Sequence, residues 1–282
     1  LILLIFLLCG VVAVAFVLLI SIYLILSGIP AIREIGLGKF LFGKVWDPTN
    51  TTTGAQYGIL AFILTSIYGT AGAILIGVPI GLFCAIFLAK VAPPRLTAVV
   101  RPAVDLLAGI PSVVYGLVGM IVLVPAVREW FHLPDGASLF AAILVLAVMI
   151  LPSIISVSET ALKAVPPEYE EASLGLGATW IETVFRVSVP AASSGIAASV
   201  VLGIGRAVGE TMAVLMVTGN AAVIPHTILE PLRTIPATIA AELGEAPAGG
   251  AHYEALFLLG VVLFFISLLI NFTVEAVSPR RK

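Results

Sequence analysis

Long apolar runs restrict what this chain can fold into more than any other feature. They lie near residues 1–28, 59–89, 113–127, 139–157, 194–218 and 255–277. A helix that crosses a bilayer needs about 20 mostly apolar residues, whereas barrel strands would give shorter segments of alternating polarity. The sequence therefore predicts an all-α polytopic membrane protein with about six transmembrane helices, forming a single domain over residues 1–282.

Composition supports a membrane environment and argues against other classes. Hydrophobic residues make up 60% of the chain and charged residues only 11%, whereas about a quarter of a soluble domain is charged. The 14 Lys and Arg and 16 Asp and Glu residues cannot cover a core of this size. A net charge of −2 gives no basis for a nucleic-acid partner. The chain begins with Leu1 inside an apolar run, so we expect the natural N-terminus to precede it.

Basic residues in the connections predict the orientation. The C-terminal cluster Arg280-Arg281-Lys282 favours the cytoplasm, and six spans then place the N-terminus, segment 90–112 and segment 158–193 on the same side. The bias among the other connections is weak. The third apolar run is short and follows Gly109-Ile110-Pro111, so it is either a span with a broken start or a partly re-entrant segment.

The predicted cytoplasmic loop 159–193 differs from an ordinary connection. Pro166 and Pro167, followed by Glu168, Glu170 and Glu171, favour the start of a helix, because carboxylates are stabilised at its positive end. A glycine-containing turn then separates this helix from a second amphipathic segment. Two short helices of this kind would project from the membrane and offer a protruding surface to a soluble partner.

This loop resembles the EAA loop of permease subunits in ATP-binding-cassette (ABC) importers. The resemblance implies a helix that sits in a groove of an ATPase subunit and transmits its nucleotide-driven closure. Ser173 replaces the second alanine of the family pattern. The matching coupling residues are Glu171, Ala172, Ser173, Gly177, Val187 and Pro190, with Val189 completing the spacing.

Charged residues inside the fifth apolar run form a second group. Arg206 and Glu210 are four residues apart, which places them on one helix face within pairing distance. Charges at membrane depth cost about 2.5–3.5 kcal/mol each and mark transport pathways. The planar guanidinium of Arg206 suits an oxyanion, Glu210 would position Arg206, and Thr211 would join them in a substrate pathway. The alternative is a structural ion pair that locks two helices together.

The segment from Gly205 to Val214 resembles that of phosphate-importer permeases. Ala108 to Gly116 and Phe40 to Gly43 resemble the same group, and Trp46-Asp47-Pro48 resembles the C-type subunit (PstC) more than its A-type partner. The resemblance implies a type I ABC importer permease (MetI-like) fold in a bacterial or archaeal cytoplasmic membrane, with both termini cytoplasmic. It also implies that membrane lipid surrounds the chain. Its protein partners would be an A-type permease, an ATPase dimer and an external phosphate-binding protein.

Other functions remain as alternatives. A permease of a sister importer for molybdate, sulfate or another solute would share the coupling loop. A secondary transporter would use Arg206 and Glu210 as a relay, but such proteins often contain internal repeats and the sequence shows none. No Gly-rich phosphate loop ending in Lys-Ser or Lys-Thr occurs in the sequence, so ATP and magnesium would bind to a partner chain and this chain would hold no cofactor.

Some features favour simpler interpretations. Glu159 and Lys163 have a four-residue spacing near the end of the fourth run and are expected to form a surface pair. His132, His226 and His252 fall in separate external connections without the spacing of metal ligands, so no metal site is expected. Cys9 and Cys84 lie in apolar runs, where they would act as small hydrophobic residues.

Overall fold

The computed structural model describes residues 2–52 and 54–277. The Arg280-Arg281-Lys282 cluster that predicts the orientation lies outside the described residues. Within them, five helices are long and apolar enough to cross a membrane, and a sixth span results if one pair bent by 69° is counted as a single span. The prediction of an all-α polytopic fold is confirmed.

The first part of the chain contains two spans and a small β-hairpin between them. Helix α1 (Ile2–Ile35) is followed by the short α2 (Leu37–Phe42). Strands β1 (Trp46–Asp47) and β2 (Gln56–Tyr57) then pair antiparallel. The second span is α3 (Leu60–Ile86), which a π-helical turn extends over Phe87–Val91.

The central part starts with an amphipathic helix that is not a span. This helix is α4 (Pro94–Gly109). After a break at Ile110 and Pro111, the third span runs through α5 (Ser112–Val118), a π-helical turn and α6 (Val124–Phe131). The fourth span is α7 (Leu139–Lys163).

The remaining helices are shorter until the last span. The loop after α7 contains α8 (Pro167–Gly175) and α9 (Trp180–Thr183), and a π-helical turn at Val184–Ser188 leads into α10 (Val189–Ala191). Next come α11 (Ser193–Val208), α12 (Met212–Val217) and α13 (Ile235–Glu242), and α14 (Ala251–Val277) ends the described chain.

Glycine allows α3 and α7 to pack closely in the centre of the molecule. A Cβ atom at Gly72 would lie 2.5 Å from Cδ1 of Ile143, and one at Gly77 would lie 2.7 Å from Cδ1 of Ile150. A side chain at either position would force the helices apart. Small residues inside membrane helices allow close packing of this kind.

Helix α1 stands at the edge of the fold and packs against α14. Tyr23 meets Phe257 edge to face, with ring centroids 5.6 Å apart. Most other large side chains of α1 are exposed, as expected for a helix that faces lipid. Cys9 shares this exposed surface, whereas Cys84 packs beside Leu88 and Ile155.

The connection between α12 and α14, residues 219–254, is folded rather than extended. The backbone N–H of Leu232 donates to the Thr218 carbonyl at 3.0 Å, and the N–H of Leu139 donates to the Glu230 carbonyl at 3.1 Å. Ile235 at the start of α13 is fully buried. This segment therefore packs against the ends of α7 and α12 and covers them.

Candidate functional site

The fifth apolar run is interrupted where its charged residues lie. Helix α11 ends at Val208, and α12 starts only at Met212. One carboxylate oxygen of Glu210 accepts a hydrogen bond from the backbone N–H of Ala213 at 3.0 Å. A side chain thereby satisfies an N–H group in the first turn of α12 that has no carbonyl partner within its own helix.

The predicted pairing of Arg206 with Glu210 is wrong. In the part of the chain that the structure describes, no ion pair joins them. A four-residue spacing brings side chains together only on a continuous helix, and the helix ends between these two residues. Glu210 is only 9% exposed, whereas Arg206 is half-buried beside the exposed Gly205. Thr211 donates to the Gly209 carbonyl at 3.2 Å and so lies within the break.

A small cavity adjoins Glu210. Its volume is about 10 Å³, roughly the room that one water molecule needs. Hydroxyl groups of α3 and of the residue before α13 line it together with Glu210; they belong to Thr65, Ser66, Thr70 and Thr234. The Thr65 hydroxyl donates to the Arg233 carbonyl at 2.6 Å, and the Ile235 N–H donates to the Ser66 hydroxyl at 3.2 Å. Among the described residues, the buried Thr234 hydroxyl has no hydrogen-bond partner.

The glycine of the predicted coupling loop ends α8 by a specific geometry. Gly177 has a φ of 89°, which L side chains rarely adopt. Its N–H donates to the Leu174 carbonyl at 2.9 Å, and the N–H of Ala178 donates to the Ser173 carbonyl at 3.2 Å. These two bonds make a Schellman motif, which reverses the chain at the end of α8.

Hydrogen bonds define the start of α9 and join it to α8. The Thr179 hydroxyl accepts from the Glu182 N–H at 3.3 Å, and Glu182 accepts from the Thr179 N–H at 2.9 Å, forming a capping box. The backbone hydrogen bond from Thr179 lowers the pKa of Glu182. The Ser173 hydroxyl lies 2.9 Å from that of the buried Thr183. The serine that departs from the family pattern therefore joins the two helices.

The resulting loop has an apolar outer surface. Large side chains of both helices are exposed there, from 40% at Leu174 to 91% at Leu176. The predicted coupling residues Glu171, Ala172 and Pro190 are also exposed. Most of the exposed apolar side chains were not predicted from the sequence, since their spacing fits no single helix face. They are Tyr169, Leu174, Leu176, Trp180, Ile181 and Phe185.

A model of one transport family matches residues 77–282 of this chain, and its description is "Binding-protein-dependent transport system inner membrane component". The chain belongs to this family. The permease is 37% identical over 276 residues to the probable ABC transporter permease protein YqgH of Bacillus subtilis, covering 97% of this chain and 89% of that protein. It is 38% identical to the phosphate transport system permease protein PstC of Haemophilus influenzae, with coverage of 89% and 84%.

Solved structures support the predicted fold of the permease. A chain of a bacterial alginate ABC transporter, in complex with a periplasmic protein bound to an alginate pentasaccharide, matches with a TM-score of 0.66 at 18% identity, over 96% of this chain and 93% of that one. A chain of the inward-facing MetNI methionine ABC transporter matches with a TM-score of 0.60 at 21% identity, over 78% and 95%. The MetI-like fold is confirmed, and so is the resemblance to phosphate-importer permeases.

The contact between Lys90 and Glu170 was not predicted from the sequence. Glu170 on α8 accepts hydrogen bonds from the Lys90 ammonium at 2.5 Å and from the Ser188 hydroxyl at 2.7 Å. The side chains of Lys90 and Glu170 are only 10% and 13% exposed. Burial raises the pKa of Glu170, but the hydrogen bonds from Lys90 and Ser188 outweigh it and leave this pKa below its usual value. The sequence carried no signal for this contact beyond charges of opposite sign.

The prediction of a surface pair between Glu159 and Lys163 is wrong in one respect. They do form an ion pair at 2.5 Å, but Glu159 is only 3% exposed. Arg101 of α4 is a second cation, 3.5 Å from the same oxygen. Glu159 therefore joins α4 to α7 inside the permease.

The histidines of the permease lie apart from the charged break. Within residues 2–52 and 54–277, no group of three or more His, Cys, Asp or Glu side chains is arranged to hold a metal ion. His252 lies 2.9 Å from the Glu242 carboxylate, which also accepts from the Trp46 indole at 2.9 Å and from Arg233 at 2.5 Å. This cluster joins the hairpin of β1 and β2 to α13 and α14.

Proposed function

We propose that this chain is a C-type permease subunit of a phosphate importer and forms the transport path together with a second, A-type permease. Its similarity to phosphate permeases over most of its length supports phosphate as the substrate. An external binding protein would deliver the anion, and the chain would catalyse no covalent step.

The observation that carries the proposal is the pair of charged residues at the break between α11 and α12. A helix interrupted at membrane depth is tolerated where it lines a cavity or is covered by protein. Arg206 is partly accessible there and offers paired donors to a tetrahedral oxyanion. Glu210 and Thr211 would complete the chain's share of the path, with Glu210 keeping the field of Arg206 from holding the anion too tightly.

The loop formed by α8, α9 and α10 would receive the motion that drives transport. Its exposed apolar side chains suit a groove of a separate ATPase subunit, because an uncovered apolar surface favours docking. ATP and magnesium would bind to a dimer of that partner. This loop and both termini would then be cytoplasmic, and the 219–254 segment would face the external binding protein.

Loss of the Arg206 guanidinium tests the path. In proteoliposomes with the partner permease, the ATPase and the binding protein, we expect Arg206→Gln to lower phosphate uptake roughly ten- to hundredfold, because charged hydrogen bonds to the anion are lost. Assembly and basal ATP hydrolysis should persist. Arg95→Gln, at an exposed position on α4, is the matched control.

Two results of this experiment would contradict the proposal. Uptake by Arg206→Gln equal to that of the control would remove Arg206 from the path. Molybdate or sulfate uptake that exceeds phosphate uptake in the unmodified complex would assign the chain to a sister importer.

A further inference from the structure

The loop of α8 to α10 is joined to the membrane helices by more than the chain itself. Its covalent connections lead back to α7 and onward to α11. Helix α3 has no such connection, yet its π-helical extension carries Lys90, whose ammonium reaches Glu170 of α8 at 2.5 Å. A side-chain contact therefore links a third span to the loop.

One carboxylate oxygen carries this link. Oε1 of Glu170 accepts from both Lys90 and Ser188. Ser188 is fully buried at the end of the π-helical turn that follows α9. The three residues thus fix α8 simultaneously to the end of α3 and to the segment that leads into α10.

The backbone around both partners of Glu170 is unusual. Lys90 lies in the π-helical turn Phe87–Val91, and Ser188 lies in the π-helical turn Val184–Ser188. Such turns are rare and occur often at functional sites. Each inserts an extra residue into a helical turn and so changes the direction of the side chains that follow. Here both turns present a donor to the same carboxylate.

Burial makes the contact between Lys90 and Glu170 costly to break. Their side chains are only 10% and 13% exposed, so each charge depends on the other for compensation. Removing one partner of a buried pair leaves the remaining charge uncompensated and is far more costly than losing an exposed pair. The contact is therefore expected to persist while the loop moves.

We propose that Lys90, Glu170 and Ser188 form a latch that makes α3 move with the coupling loop, so that Glu170 is a positioning residue for coupling. The inference rests on the proposed function of the loop. Because α3 packs along α7 and contributes Thr65, Ser66 and Thr70 to the cavity beside Glu210, the latch connects a displacement of α8 to the break in the fifth apolar run.

Loss of the latch should uncouple phosphate uptake from ATP hydrolysis without dissociating the complex. In the reconstituted complex, we expect Lys90→Met and Glu170→Gln each to lower phosphate uptake per hydrolysed ATP about tenfold. Co-purification with the ATPase should be retained, because the apolar outer surface is unchanged. Glu168→Gln, an exposed carboxylate on the same helix, is the matched control and should keep the normal ratio.

Reversing the charges separates the ion pair from a general packing effect. The double variant Lys90→Glu with Glu170→Lys should recover most of the lost ratio, whereas either single reversal should not. A ratio for Lys90→Met and Glu170→Gln equal to that of Glu168→Gln would overturn the latch, as would a double reversal no better than the singles. If Lys90→Met does not assemble, Glu170→Gln decides, because the amide preserves the shape of the side chain.

A further variant distinguishes failure of the latch from failure of the proposed function. Glu171→Lys changes the exposed surface of the loop and leaves Glu170 in place. Normal coupling in Glu171→Lys together with normal coupling in Lys90→Met would contradict the coupling role of the loop itself. If coupling is lost in Glu171→Lys but is normal in Lys90→Met, the loop keeps its coupling role and only the latch is contradicted.

Discussion

Glu159 and Glu210 are both almost completely buried carboxylates, and their surroundings differ sharply. Glu159 is 3% exposed and has cations from two elements, Lys163 and Arg101. Glu210 is 9% exposed and has one hydrogen bond from a backbone N–H. In the sequence, each lies four residues from a residue of opposite charge, Lys163 for Glu159 and Arg206 for Glu210.

Helix continuity accounts for the difference. Helix α7 continues through Lys163, so Glu159 and Lys163 lie one turn apart and pair. Helix α11 ends before Glu210, so the same spacing leaves Arg206 unpaired with it. Among the described residues, Glu159 therefore has two cationic partners, whereas Glu210 accepts a single hydrogen bond.

The largest effect is expected at Glu210. Glu210→Gln keeps the size of the side chain and an oxygen that can accept from Ala213 N–H, so its thermal stability should change little. Phosphate uptake should fall roughly ten- to hundredfold, since the charge that balances Arg206 is lost. Uptake and thermal unfolding of the purified permease are the two measurements. A large drop in thermal stability with normal uptake per molecule would show that Glu210 serves stability rather than transport.

A smaller and opposite pattern is expected at Glu159. Glu159→Gln should lower the free energy of unfolding by about 1–2 kcal/mol, because charged hydrogen bonds to Lys163 and Arg101 are weakened. Those cations are partly exposed and can turn toward water, which limits the loss. Uptake per assembled complex should stay near normal. An uptake defect as large as that of Glu210→Gln would show that both carboxylates serve transport.

The cavity beside Glu210 offers a finer test of the same contrast. Thr234→Val removes a buried hydroxyl that has no partner among the described residues. Replacing such a group by an apolar one of similar shape is nearly neutral, so we expect a change below about 0.5 kcal/mol in thermal unfolding. A loss above about 1 kcal/mol would instead indicate a bound water that joins the hydroxyl to its neighbours.

Acidification should give the smallest effect, at Glu170. The pKa of Glu170 lies below its ordinary value of 4.5, so its contribution to stability is complete above that value and is lost as the pH falls through the lowered pKa. Between pH 6 and pH 3.5, the unmodified permease should lose only about 0.5 °C more in unfolding midpoint than Glu170→Gln does. Equal losses in the two proteins would remove Glu170 as the cause.

Local patterns in the sequence were sufficient for much of the fold and of the coupling loop. The apolar runs predict the spans because each run must satisfy its own backbone in the bilayer. Gly177 ends α8 through hydrogen bonds that lie within a few residues of its own position, so its role follows from short-range geometry. The MetI-like fold came from the resemblance and agrees with the solved structures.

Contacts across long sequence distances could not be predicted in this way. The break at Gly209 lies in a run that the sequence predicts to be one continuous span, and only the three-dimensional structure shows that the helix stops there. Lys90 and Ser188 reach Glu170 from two separate π-helical turns, and no pattern in the chain indicates those turns. The cavity beside Glu210 likewise draws its hydroxyls from separate parts of the sequence.

The cluster around Glu242 has a consequence for the mechanics of the molecule. Its carboxylate holds the Trp46 indole, the Arg233 guanidinium and the His252 ring, which come from three distant segments. These segments share one anchor and must shift together. A displacement of any one of these segments would therefore be passed to the other two.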